Sequence, residues 1–105
     1  MAARIGVPAT ARKGEAIEIR IAIQHPMETG FRYDSMGKPV PKNVINSLKV
    51  RYNDSEIFSA ELGSGIAANP YLQFCTIAEA SGELVFEWVD DYGSRGSERA
   101  ALTVV

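Results

Sequence analysis

Ile17, Ile19, Ile21 and Ile23 occupy every second position between residues 15 and 24, with Glu18, Arg20, Ala22 and Gln24 between them. A helix turns about 100° per residue and would scatter these four side chains around its circumference, whereas an extended strand gathers them on one face. β-Branched residues at period two therefore demand a half-buried strand. A strand with one apolar face in turn demands a second layer to cover it. Gly14 precedes the run and His25-Pro26 ends it, since proline brings no N–H to a ladder.

Other segments read the same way. Residues 44–53 place Leu48, Val50 and Tyr52 on one side, Asn53-Asp54 turns the chain, and residues 56–62 return with Ile57 and Phe58. Residues 71–78 are aromatic and β-branched, and Ser81-Gly82 is a turn. Residues 84–89 form the next strand, Asp90-Asp91-Tyr92-Gly93 the next turn, and residues 98–105 close the chain. With an opening strand at residues 4–7 this makes about seven short strands. No stretch carries a helical period. The expectation is an all-β, immunoglobulin-like two-sheet sandwich, nearer the fibronectin-III type because paired cysteines around a tryptophan are missing. A chain of 105 residues makes one such domain, residues 1–105.

Composition excludes several functions. The net charge is −2 and the cations are scattered, so no broad basic field for nucleic acid exists. No apolar run reaches the 18 or so residues of a membrane-spanning helix. Residues 1–8 contain no apolar core of a secretory signal, which taken alone suggests a cytoplasmic protein. Cys75 is the single cysteine and His25 the single histidine. With Met27 they could form a small metal or thiol site, yet a metal normally requires three or more ligands and nothing supplies the rest. Cys75, between Phe74 and Thr76, reads as a strand residue with no basic neighbour to activate a thiolate. Asp90 and Asp91 read as turn carboxylates facing water. No catalytic residue, metal ligand or cofactor site is expected.

Two features point outward instead. Residues 25–43, HPMETGFRYDSMGKPVPKN, break the alternation with glycines and prolines but keep Met27, Phe31 and Tyr33. A segment this long is either a docking surface, with His25, Met27, Glu28, Phe31, Arg32 and Tyr33 as its residues, or a cap over the open end of the sandwich. Glu28 or Asp34 could pair with Arg32. The strand at residues 84–89 is apolar on both faces. If Leu84, Phe86 and Trp88 face the core, Val85, Glu87 and Val89 face out, next to Ala101, Thr103 and Val105. Either a loop covers that face or a partner protein does. The alternative partner face is the one bearing Tyr71, Gln73 and Cys75.

The segments HPMETGFRYDSMGKPVPKNVI and AANPYLQFCTIAEASGELVFEWVDDYGS, together with Arg4-Ile5-Gly6-Val7-Pro8 and Lys13-Gly14-Glu15, resemble SoxZ proteins over nearly the whole chain. The resemblance implies a non-catalytic β-sandwich subunit that pairs with SoxY. That partner's glycine-flanked cysteine carries sulfur intermediates, and other enzymes of thiosulfate oxidation act on this cargo through transient contacts. It also implies a periplasmic location, reached by co-export with a signal-bearing partner. The competing expectation is a generic β-sandwich binding module.

Overall fold

The computed structural model describes residues 2–63 and 65–105, and its regular structure is all β. The strands are β1 (Ala3–Gly6), β2 (Thr10–Ala11), β3 (Ala16–Ile23), β4 (Ile45–Tyr52), β5 (Ser55–Glu61), β6 (Tyr71–Ile77), β7 (Gly82–Asp90) and β8 (Arg95–Val104). They form two sheets, in the orders β1-β3-β6 and β2-β8-β7-β4-β5. The expected immunoglobulin-like sandwich is present. The strand missed in the sequence is β2, whose two residues are too few to show any period.

The core is where the alternation put it. Ile17, Ile19, Ile21 and Ile23 are buried on the inner face of the small sheet, opposite Leu48, Val50, Leu84, Phe86, Trp88 and Leu102 of the large one. Asn53 and Asp54 both take left-handed backbone angles, φ 46° and 72°, as a two-residue hairpin turn between β4 and β5 requires. The buried Tyr52 hydroxyl donates to the carbonyl of Ala80 and accepts from the amides of Glu79 and Ala80. It thereby ties the end of β4 to the crossover from β6 to β7.

The two long sides of the sandwich differ. On one, the chain leaves β1 in the small sheet, passes Pro8 and enters the large sheet as β2, parallel to β8. The Thr103 amide donates to Ala9 and the Val105 amide to Ala11, so this side is stitched shut. On the other, β5 and β6 are both edge strands, bridged by the Phe58 and Phe74 rings stacked at 4.4 Å. Neither strand has a fully buried residue.

The molecule is elongated, 57 × 19 × 19 Å, with a radius of gyration of 16.1 Å against about 13 Å for a compact chain of this length. Its longest strand, β8, has ten residues and spans only about 33 Å. The excess comes from the segment joining β3 to β4, in which residues 30–39 are all exposed.

Trp88 lies across Gly96, its cross-strand neighbour on β8. A methyl group at position 96 would overlap the indole ring. Gly96→Ala should therefore lower stability by about 1–3 kcal/mol, read as a reduced urea midpoint with unchanged m-value.

Candidate functional site

β3 ends at Ile23, and the chain is then clamped. The His25 amide donates to the Asn69 side-chain oxygen at 3.0 Å, and the Asn69 amide donates back to the His25 carbonyl at 2.7 Å. Asn69 holds a left-handed φ of 55°, which asparagine tolerates better than most residues. The His25 ring is buried, 3% exposed. Its Nδ1 accepts the Met27 amide at 2.9 Å and so carries no proton. The ring proton therefore sits on Nε2, which donates to Asp90 Oδ2 at 3.2 Å.

Asp90 is buried as well, at 5% exposure, contrary to the expectation that it faces water. Burial alone would raise its pKa, but hydrogen bonds from His25, from the Ser94 and Tyr92 amides and from the Asn43 side chain outweigh that and hold it below the ordinary carboxylate value. The residue beside it has a related task. Asp91 accepts the Val44 amide and the Asn46 side-chain amide. These bonds lower its pKa, with Asn46 the larger cause.

Met27 is buried, at 4% exposure, so the expectation of an exposed docking methionine is overturned. Its backbone is left-handed, φ 51°, which is uncommon for a residue with a long side chain. The turn aims the thioether inward, where Sδ accepts the Ile45 amide at 3.2 Å. His25 and Met27 are thus anchors at the base of the segment and do not form its contact surface.

Beyond the anchors the segment is neither an irregular loop nor a cap: it is a hairpin arm. Glu28 and Asn43 exchange backbone hydrogen bonds at 2.8 and 2.9 Å. Further out, the Val40 amide donates to Arg32 and the Asp34 amide to Lys38, both at 2.8 Å. The Asp34 carboxylate closes the tip by accepting the Met36 and Lys38 amides. Val40 faces inward, so Pro39 and Pro41, which have no N–H, fall where an amide would point away from the ladder. Arg32 grips Glu28 with two hydrogen bonds, as one of the expected pairings had it, and holds that carboxyl below the usual range. The arm presents Phe31, Tyr33 and Met36 at 84%, 67% and 81% exposure. Met36 escaped the sequence reading because nothing in its neighbourhood distinguishes an exposed methionine from a buried one.

The second expected surface takes a different form. Val85, Glu87, Val89, Ala101 and Thr103 do fall on the outward face of the large sheet, as the register of β7 with β8 requires, and Val105 follows β8 exposed. That face is not flat and apolar. Val85 sits between Arg51 on β4 and Arg99 on β8, and Val89 lies beside Arg95. Arg51 pairs with Glu87, and Arg99 with Glu83 at 3.0 Å. The valines are half-buried in a shallow concavity of about 620 Å³ lined also by Lys49, Arg95 and Arg99. Long basic side chains of its own sheet thus flank this strand on the outer face.

Together the fold and the arm define an immunoglobulin-like sandwich that carries a rigidly rooted, aromatic-tipped hairpin. The sequence matches the model of the family "Sulphur oxidation protein SoxZ" over residues 4–101, and the chain belongs to the SoxZ family. A search of curated proteins found no match. Among solved structures, it is similar to a superoxide reductase (neelaredoxin) from Ignicoccus hospitalis, with TM-score 0.75 and 14% identity over 100% of this chain and 81% of that one. It is similar also to the sulfur carrier protein SoxY from Chlorobium limicola f thiosulfatophilum, with TM-score 0.68 and 12% identity over 100% of this chain and 80% of that one. A superoxide reductase from Archaeoglobus fulgidus aligns with TM-score 0.65 and 19% identity, over 96% and 86% of the two chains.

At these identities the likeness concerns the fold. A metal centre does not fit the residues present. Both ring nitrogens of His25 are engaged by Met27 and Asp90, and Cys75 lies exposed on the small sheet. Among the described residues no group of three or more His, Cys, Asp or Glu could hold a metal ion.

The clasp has consequences for stability. His25→Ala leaves a buried carboxylate and the Met27 amide short of partners and should cost about 3 kcal/mol, measured by urea unfolding. The folded-state pKa of Asp90 lies below its unfolded value. Its stabilising contribution is therefore complete above the unfolded value of about 3.9 and is lost as pH falls through the folded one. Asp90→Asn should be less stable than the wild type at pH 7, and the gap should close below about pH 4. A gap that stays constant down to pH 2.5 or so would refute the clasp as drawn.

Proposed function

We propose that this chain is the non-catalytic subunit of a sulfur-carrier complex. It pairs permanently with a SoxY-like subunit and helps present that partner's cysteine-bound sulfur intermediates to the enzymes of thiosulfate oxidation. The family match over residues 4–101 carries this reading. The chemistry of the chain supports it. The one imidazole is spent on holding structure, and the one thiol lies directly opposite the Glu18 carboxylate on β3, a neighbour that disfavours a thiolate. A carrier system of this kind places the complex in the periplasm, with export shared with the partner. Among the described residues no helix is long and apolar enough to cross a membrane.

Within that role the arm is the docking element for the downstream enzymes. Phe31, Tyr33 and Met36 are the large apolar groups on it, and aromatic residues and methionine are the types enriched where proteins meet. Arg32 and Lys38 add charge that speeds encounter without locking the complex. The root formed by His25, Met27 and Asn43 keeps the arm in one orientation, so little ordering entropy is lost when a partner engages it.

Co-purification of the chain from its host tests the pairing, and a companion ending in a glycine-flanked cysteine is the expected result. The combined change Phe31→Ala, Tyr33→Ala and Met36→Ala should leave that heterodimer intact and reduce turnover by partner enzymes by about tenfold or more. Normal turnover would exclude the arm as their docking site. Loss of the heterodimer itself would make the arm part of the subunit interface.

A further inference from the structure

Four strands end the two sheets: β1 and β6 in the small one, β2 and β5 in the large one. Exposed edges invite pairing with other chains, and proteins guard them with brevity, charge, proline or bulges. β1 has four residues, includes Arg4 and is closely followed by Pro8. β2 has two residues and shares that proline. β5 carries Glu56 and Glu61 and is bulged where it pairs with Val50 and Arg51. β6 has none of these devices within its length, and Pro70 just before it faces β3 rather than the free edge. Its seven residues, Tyr71-Leu72-Gln73-Phe74-Cys75-Thr76-Ile77, contain no charge, no proline and no glycine. Its pairing with β3 runs through all seven without a shift.

The hydrogen-bond phase of that edge follows from the register. Ile23 donates to Pro70 at one end, and Ala78 donates to Glu15 at the other. In an antiparallel ladder the bonded pairs alternate with non-bonded ones. Leu72, Phe74 and Thr76 therefore spend their backbone groups on β3. Tyr71, Gln73, Cys75 and Ile77 point theirs outward, in a row about 23 Å long. The inner-face side chains Leu72 and Phe74 are only half-buried, although Phe74 stacks on Phe58. Tyr71 and Ile77 stand 57% and 47% exposed.

We infer that β6 is the subunit-pairing edge, where an extended strand of the carrier subunit continues the small sheet. This rests on the proposed function. The complementarity is that of main chain to main chain: an array of evenly phased N–H and C=O groups, unspent among the described residues, is matched by another strand and by no compact ligand. A carrier with this same sandwich fold has strand edges of its own to offer. Joined edge to edge, the two subunits would bury the seam at Phe58 and Phe74, which the chain alone leaves half covered.

The experiment uses the full chain and the purified carrier subunit. Gln73→Pro removes one outward N–H, and Cys75→Lys places a guard charge on the edge. Neither change touches an amide bonded to β3, so both variants should keep the native circular dichroism spectrum. Each should bind the carrier at least tenfold more weakly than the wild type. Hydrogen exchange on the unaltered chain gives a second readout that survives any misfolding of the variants. The amides of Gln73, Cys75 and Ile77 should slow on adding the carrier. Wild-type affinity in folded variants, or unchanged exchange at these amides in a complex that does form, overturns the inference. A homodimer of this chain that both variants abolish while carrier binding persists also overturns it, because the edge then belongs to a second copy. Failure of the wild-type chain to bind the carrier at all would instead strike the proposed function.

Discussion

A buried carboxylate without partners would be intolerable, and the end of this sandwich is organised around supplying them to Asp90. The group closes β7, yet its bonds come from His25 after β3, from the Tyr92 and Ser94 amides of the turn into β8, and from Asn43 at the foot of the arm. Three separated pieces of chain, around residues 25, 43 and 90–94, are thereby held in one place. Because His25 serves Asp90 through Nε2 and Met27 through Nδ1, the imidazole also fixes where the arm departs. The arm's direction is thus set in the core and not at its exposed tip.

In the proposed docking role, this arrangement separates two jobs. A surface that meets several partners in turn gains from exposed, adaptable side chains, and precise presentation gains from rigidity. Here the exposed groups sit on a short ladder whose base is bonded on both strands, by Glu28 with Asn43 and by Met27 with Ile45. Proline at positions 39 and 41 denies the arm's outer edge the amides needed for unwanted strand pairing. The unguarded edge is elsewhere, at β6. The arm and the β6 edge are different kinds of surface, one of side chains and one of main chain, which the proposed function uses for transient and permanent contacts respectively.

The large sheet shows how a strand that is apolar on both faces can still belong to a chain that ends in water. Val85 and Val89 were expected to lie under either a loop or a partner protein. β7 is instead a central strand whose neighbours carry Lys49 and Arg51 on one side and Arg95 and Arg99 on the other. Arg51 reaches Glu87 and Arg99 reaches Glu83, while Lys49, Arg95 and Arg99 line the concavity in which the valines lie. The outer valines thus lie half-buried among charged side chains, and a second half-covered apolar surface is the seam between β5 and β6.

The period-two isoleucines determined, without any structure, that β3 is a strand with one buried face and that the protein is a layered β fold, since no other backbone gathers alternate residues on one side. The same rule placed Leu48, Val50, Leu84, Phe86 and Trp88 in the core, and the SoxZ motifs were legible because they are contiguous. What remained hidden depends on which strands become neighbours. Alternation shows that Val85 faces out, but only the strand order shows that arginines flank it. Asp90 and Asp91 are adjacent and chemically alike in the sequence. Only the convergence of residues 25, 43, 92 and 94 makes the first a buried anchor while its neighbour bonds Val44 and Asn46. That residues 71–77 carry no charge, proline or glycine is visible in the sequence, but that this strand is an edge, paired with β3 alone, is decided by the tertiary fold.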